Sequence, residues 1–199
     1  MPEITVAVAY HSGFGHTARQ AHAVAEGVGT VDGATAALCD VGRLGDPLWR
    51  TLDESAAIVF GTPTYMGSQS AVFQAFAEAS APVWAAQGWR HKLAAGFTNS
   101  AGVNGDKLNT LISLSLFAAQ HGMTWVSLDL PPGWLYTEHG DAASLNRLGG
   151  FLGAMAQSPS DVDAERAPGP ADLATAAHLG ARVAAQALAL TRGRAAVAR

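Results

Sequence analysis

Residues 4–17 read ITVAVAYHSGFGHT, an apolar run that leads directly into a loop of glycines and hydroxyls. Its first part, Ile4–Tyr10, is a short apolar run that predicts a buried strand. The loop at residues 12–17 has glycines and hydroxyls but no Lys or Arg, so backbone N–H groups and hydroxyls would hold any anion there. A helix amino terminus supplies such donors, although a tight turn with a capped helix gives the same pattern.

Strand-like and helical patterns alternate along the rest of the chain. Further strands are predicted at residues 35–39, 56–61, 92–97 and 123–128, with helical patterns between them. This order is typical of an α/β protein with a doubly wound, five-stranded parallel sheet in the order 2-1-3-4-5 and helices on both faces. We expect a single domain over residues 1–199, with a long loop at about 129–170, a final helix at about 170–191 and a frayed tail after it.

Two further polar loops follow predicted strands. Residues 61–67 read GTPTYMG, and residues 98–106 read TNSAGVNGD. In the predicted order the first, third and fourth strands are neighbours, so all three loops should surround one crevice at the carboxyl end of the sheet. Each loop alone is more often an ordinary turn, but three at these positions favour a flat heterocycle with a phosphate tail.

The first loop also fits a second pattern. Gly13, Gly15 and Ala18 match the dinucleotide fingerprint G-x-G-x-x-A, and Asp40 ends the second strand where a ribose-binding acid would lie. That pattern is short, and a dinucleotide domain has no comparable need for the second and third loops. A nicotinamide dehydrogenase is therefore the less favoured interpretation.

The composition limits the possible partners. Only 14% of residues are charged, against about 25% in an ordinary soluble domain, which predicts that a subunit contact covers part of the surface. A net charge of −4 without a basic stripe argues against nucleic acid, and the apolar stretches are too short for a membrane span. Cys39 is the single cysteine, no histidine spacing indicates a metal, and no signal peptide is evident, so we expect a cytoplasmic protein.

Four segments together resemble one family: SGFGHT at 12–17, GTPT at 61–64, Trp84, and QHGM at 120–123. They are similar to the NAD(P)H:quinone oxidoreductases of the tryptophan-repressor-binding type, which are FMN proteins of the flavodoxin superfamily. The resemblance spans roughly residues 4–190 and implies a flavodoxin-like fold, bound FMN, NAD(P)H as electron donor, a quinone-like acceptor and a homodimer or homotetramer. Relatives usually carry Thr-Arg-Phe-Gly where this chain has TYMG, so an arginine near the ring edge is absent.

The resemblance also implies residue roles. His121 would be the catalytic group and would donate a hydrogen bond or proton to the acceptor, although a helix-terminal histidine favoured by the dipole is a compatible interpretation. Trp84, contributed across a subunit interface, and Phe14 would contact substrate and nicotinamide. Trp134 and Tyr136 could cover the ring, an expectation that comes from their place in the long loop and not from the resemblance. The residues expected to bind FMN are Ser12, Gly13, Phe14, Gly15, His16, Thr17, Pro63, Thr64, Tyr65, Met66, Gly67, Asn99, Ser100, Ala101, Gly102, Val103 and Asn104.

The expected reaction is transfer of two electrons from NAD(P)H through FMN to the quinone-like acceptor, with the flavin supplying the redox chemistry. Two alternatives stay open: a flavodoxin-type one-electron carrier, and a flavin reductase that uses FMN as a released substrate. The modest net charge argues against a carrier, because docking to redox partners usually uses a strong field. The hydroxyl-rich first loop argues against a protein that keeps the fold without flavin.

Overall fold

The computed structural model describes residues 3–133 and 137–197. Within them the strands are β1 (Ile4–Tyr10), β2 (Ala34–Asp40), β3 (Ala57–Tyr65), β4 (Ser68–Gln69), β5 (Leu93–Ser100), β6 (Thr124–Trp125) and β7 (Ala154–Gln157). The helices are α1 (His16–Gly29), α2 (Asp46–Glu54), α3 (Ala71–Ala79), α4 (Ala81–Ala85), α5 (Lys107–Gln120) and α6 (Pro170–Val197). None of the described helices is both long and apolar enough to cross a membrane.

The sheet has the order β2-β1-β3-β5-β6, and its main strands are parallel. This confirms the predicted flavodoxin-like order 2-1-3-4-5. The short β4 is antiparallel to β3 and forms a hairpin with it.

The fifth position of the sheet is shared by two short strands. Thr124 lies opposite Leu93 at the start of β5, whereas β7 pairs with the end of β5. The predicted single strand at 123–128 is therefore wrong in its extent, and the predicted loop at 129–170 contains β7. The physical reason is a tertiary contact: Leu128 N donates to Phe151 O at 3.0 Å. The chain that follows Phe151 then enters β7, which takes the place beside β5 that residues 126–128 were expected to fill.

Helices cover both faces of the sheet, as predicted. Alternate residues of β1 point to opposite sides: Val6 and Val8 pack towards α1 and α6, and Ala7 and Ala9 join an aromatic cluster on the other face. The small residues of α6 have a packing reason. A Cβ at Gly180 would lie 2.0 Å from Val24 O of α1, so the two helices approach closely only because that position lacks a side chain.

The carboxyl-terminal helix is longer than predicted. It continues to Val197, whereas a helix ending near residue 191 and a frayed tail were expected. The guanidinium of Arg194 donates to His91 O at 2.8 Å, and Thr191 Oγ1 donates to Ala187 O at 2.9 Å, so the last turns are held by side-chain hydrogen bonds.

Candidate functional site

The first loop connects β1 to α1 and offers unpaired donors. Gly15 precedes the helix with φ 89°, in the left-handed region that favours glycine, and no side chain caps the helix in the described part of the chain. Ser12 Oγ is buried and has no hydrogen-bond partner among the described residues. Buried polar groups are nearly always paired, so a hydroxyl beside an uncapped helix amino terminus fits a bound anion.

A cavity of about 650 Å³ lies between the predicted loops at the carboxyl end of the sheet. Its volume is in the usual range for cofactor pockets. The predicted residues in its wall are Phe14, His16, Thr17, Pro63, Thr64, Tyr65, Asn99, Ser100 and Ala101. The other predicted FMN-binding residues lie in the same loops outside this wall, at positions 12, 13, 15, 66, 67 and 102–104.

A fourth segment, which the sequence interpretation missed, completes the cavity. Residues 158–164 follow β7 and contribute Ser158, Val162 and their neighbours to the wall. His16 Nε2 donates to Val162 O at 2.8 Å, and Ser158 Oγ donates to Asn99 Oδ1 at 2.9 Å, so the segment joins the first loop to the third. The sequence signal was the Ser-Pro-Ser-Asp run after β7, which has meaning only once β7 is known to be a strand.

The second loop is the hairpin between β3 and β4, and it reaches across to the first loop. Met66 and Gly67 at its tip have φ values of 48° and 84°. The rings of Tyr65 and Phe14 meet edge to face with centroids 6.4 Å apart. A Cβ at Gly13 would lie 2.4 Å from Tyr65 Oη, so the tyrosine hydroxyl meets the first loop at a position that has no side chain.

Ordered hydroxyls form the floor behind the second loop. Thr98 Oγ1 donates to Thr62 O at 2.7 Å, so its remaining partner must donate to it. Thr64 Oγ1 therefore donates to Thr98 Oγ1, and Thr110 Oγ1 donates to Thr64 Oγ1, each at 2.8 Å. Because its hydroxyl is occupied on both sides, Thr64 presents its main chain to a ligand.

The third loop is held from inside by Lys107, a residue that the sequence interpretation missed. Its side chain is fully buried, and Nζ donates to Ser100 Oγ at 2.7 Å, Gly102 O at 2.5 Å and Asn104 O at 3.1 Å. Burial lowers the pKa of Lys107 to about 8. A lysine in the first turn of a helix opposes the helix dipole, and that conflict was the signal available in the sequence.

His121 and Trp84 lie in a different place from the other predicted residues. Both line a second groove of about 500 Å³ between α3, α4 and α5. The 14-residue α5 begins at the third loop and runs back along the sheet for about 21 Å, so His121 follows its far end. The expectation that this helix end faces the crevice is therefore wrong within one subunit.

The hydrogen bonds of His121 fix its protonation. Ser80 Oγ donates its proton to Ala77 O at 2.7 Å, so it must accept from His121 Nε2 at 2.9 Å. In the neutral imidazole Nδ1 is then the unprotonated nitrogen, and it is buried without a partner in residues 3–133 and 137–197. Burial also lowers the pKa of His121, so the free nitrogen accepts a hydrogen bond rather than donating one. Trp134 and Tyr136, expected near the ring, lie outside the described residues.

Comparisons with known proteins agree with this geometry. The family model described as NADPH-dependent FMN reductase matches residues 15–129. The chain is 44% identical over 180 residues to flavodoxin FldP of Pseudomonas aeruginosa, covering 89% of this chain and 93% of the relative. It is 31% identical over 212 residues to an NAD(P)H dehydrogenase (quinone) of Aromatoleum aromaticum, covering 96% and 99%. The solved structure of a flavodoxin, WrbA-like protein from Agrobacterium tumefaciens superposes with a TM-score of 0.71 at 44% identity, covering 93% of this chain and 98% of that one.

Proposed function

The chain belongs to the NADPH-dependent FMN reductase family, and from this we propose that it is an oxidoreductase that holds FMN in the crevice. It would pass two electrons from NAD(P)H to a quinone-like acceptor, as the name of the Aromatoleum relative suggests. The observation that carries the proposal is Ser12 Oγ, a buried hydroxyl without a described partner beside an uncapped helix amino terminus. A phosphate would give that hydroxyl and the free N–H groups their missing partner.

The cavity walls suit the rest of FMN. The phosphate would lie against residues 12–17, and the flat ring would lie between the main chain of residues 63–65 and that of residues 99–101. Bound FMN supplies hydride acceptance and donation, and the protein supplies binding and orientation. Phe14 is 79% exposed at the mouth, where its ring would contact the nicotinamide and, with Tyr65, exclude water.

Trp84 and His121 would act in the crevice of a neighbouring subunit of a homodimer or homotetramer. Two observations support this contact between subunits. Trp84 and His121 lie outside the crevice of their own subunit, and apolar residues are exposed along α5. Leu108, Ile112 and Leu116 are 51%, 41% and 64% exposed at four-residue spacing along α5, which makes one exposed apolar stripe on each subunit.

The role of His121 is then constrained by its hydrogen bonds. To deliver a proton to the acceptor, Nδ1 must first be protonated. Burial holds the pKa of His121 below its ordinary value, so this contribution would be present at acid pH and would be lost as the pH rises towards neutrality.

Mixed oligomers test the shared site. Trp84→Ala should bind FMN normally but reduce quinone poorly, whereas Gly15→Val should lose FMN, because a Cβ there would lie 2.8 Å from the Ala164 Cβ. Reassembled from a mixture, the two variants should exceed the summed activity of the separate preparations. Additive activity in mixtures that are proven to exchange subunits would contradict the shared site.

A matched pair of serine variants tests FMN binding. Ser12→Ala removes a hydroxyl bond to a charged phosphate, worth about 1.5–3 kcal/mol, so the FMN dissociation constant should rise roughly tenfold or more. Ser115→Ala is the control, because that hydroxyl donates to Ile112 O on α5 and lies in neither cavity wall. Equal FMN affinity in the two variants would contradict the phosphate assignment.

A second candidate function is one-electron transfer, because the relative that is 44% identical is named a flavodoxin. A carrier would take up two electrons at two well separated potentials and would show little NAD(P)H oxidation with quinones. A flavin reductase would release FMN on dilution. We also propose a cytoplasmic location, with which the single buried thiol of Cys39 is compatible.

A further inference from the structure

A buried cation lies directly behind the wall of the crevice. The side chain of Lys107 is 0% exposed, and its three N–H donors are bound to Ser100 Oγ, Gly102 O and Asn104 O. All three acceptors belong to the third loop, and Ser100 itself lines the cavity. Ser100 is therefore the residue that separates the Lys107 ammonium from any molecule bound against this wall.

The neighbouring charges do not neutralise this cation. Asp172 and Arg147 are the charged groups that act on Lys107. Asp172 is already bound by Arg147 through two bonds of 2.7 Å, and it also accepts from Gln157 N at 2.9 Å. Two cations and one carboxylate leave the cluster with one positive charge, and the amino terminus of α5 adds to it.

Burying the ammonium of Lys107 costs free energy, so its position indicates a site where an anionic group would be stabilised. A desolvated cation is unfavourable unless an anionic group compensates it, and its field is strong because the surroundings have a low dielectric. The three hydrogen bonds satisfy its donors but bring no negative charge. A ligand that becomes more negative at the wall formed by Ser100 would supply the missing compensation.

We propose that Lys107 is a positioning residue that holds a positive charge behind Ser100 and thereby stabilises the negative charge that FMN gains on reduction. This inference rests on the proposed function, since it requires FMN in the crevice. It assigns to the third loop an electrostatic task in addition to contact with the ring.

The test is the midpoint potential of protein-bound FMN at pH 7, measured together with the affinity for oxidised FMN. Lys107→Met keeps the length of the side chain and removes the charge. A neighbouring charge shifts an ionisation by one to three units, so we expect the equilibrium constant for reduction to fall about tenfold or more. For a two-electron couple, tenfold corresponds to about 30 mV.

The chain contains a matched control, the other lysine of the sequence. Lys92 Nζ also donates to three carbonyl oxygens, those of Leu52, Asp53 and Ser55, but it lies next to the amino-terminal end of β5, away from the crevice. Lys92→Met should leave the potential of bound FMN unchanged. An equal shift in the two lysine variants would overturn the proposal.

A variant of opposite sign separates charge from structure. Asp172→Asn removes the carboxylate that raises the pKa of Lys107, so it is compared with the unmodified protein at pH 6, where the ammonium keeps its proton. The cluster is then more positive and the potential should rise, whereas a purely structural role of the cluster predicts the same direction of change for both variants. If Lys107→Met no longer binds FMN, an unchanged or lowered potential in Asp172→Asn would still overturn the proposal. Failure of the unmodified protein to bind FMN would instead contradict the proposed function.

Discussion

The buried ion pair between Arg147 and Asp172 should carry a large share of the stability of this chain. Arg147 belongs to the segment between β6 and β7, and Asp172 lies in the first turn of α6. Nε and Oδ1 are 2.7 Å apart, and the two side chains are 16% and 1% exposed. Breaking a buried ion pair typically costs about 3–5 kcal/mol, and here Lys107 remains as a second cation that acts on Asp172.

The expected loss for Arg147→Ala lies at the lower end of that range. Asp172 would keep the hydrogen bond from Gln157 N and the favourable field of the α6 amino terminus. We therefore expect a loss of about 3 kcal/mol in the free energy of unfolding. In a domain of this size each 1 kcal/mol lowers Tm by roughly 2–4 °C, so Tm should fall by about 6–12 °C.

The assay is urea unfolding of the FMN-free protein, followed by far-ultraviolet circular dichroism. Arg43→Ala is the control, because Arg43 and Asp40 form a surface pair at 3.7 Å with side chains 89% and 45% exposed. Such pairs contribute at most about 1 kcal/mol. A double replacement, Arg147→Met with Asp172→Leu, should be less destabilised than Arg147→Ala alone. Equal losses of stability in the Arg147 and Arg43 variants would contradict a buried ion pair of this strength.

Three further predictions concern single positions. Gly61→Ala would place a Cβ 2.0 Å from Phe97 Cζ in the core, so urea unfolding should show a loss of about 1–3 kcal/mol, and an unchanged midpoint would contradict the packing. Met66→Gly should raise the free energy of unfolding by about 0.5–1 kcal/mol, because Met66 is fully exposed with φ 48° and glycine removes the left-handed strain. A lower free energy of unfolding in this variant would contradict the strain at Met66. Burial raises the pKa of the Cys39 thiol to about 11, so at pH 8 this thiol should resist a disulfide reagent until urea unfolds the protein, and prompt labelling of the folded protein would disagree.

The strands at the centre of the sheet could be predicted because both of their faces are buried. β1, β3 and β5 are nearly continuous apolar runs, and in a parallel sheet such runs are covered on both sides by helices. The fifth strand could not be predicted in the same way. Val126 and Leu128 are as apolar as strand residues, and only the distant carbonyl of Phe151 decides that the chain leaves the sheet there.

The candidate site was predictable where it depends on strand order. The first, second and third loops meet because β1, β3 and β5 are adjacent and parallel. The segment at 158–164 was missed because it follows a strand of only four residues. Lys107 was missed because the sequence does not show that its side chain folds back onto the carbonyl groups of the third loop.

The position of His121 was misjudged although topology alone contained the answer. A helix that connects two parallel strands runs antiparallel to them, so the end of α5 has to lie at the amino-terminal edge of the sheet. His121 follows that end, away from the three loops. Its functional assignment therefore depends on a second subunit.

Flavin binding in the crevice can be tested by a visible spectrum of the purified protein during titration with FMN, continued anaerobically with NADPH and then benzoquinone. We predict saturable binding at micromolar concentrations or below, bleaching of the bound flavin by NADPH, and recovery of its absorbance when the quinone is added. A spectrum that remains that of free FMN throughout the titration would contradict the claim that the crevice between β1, β3 and β5 is a flavin site.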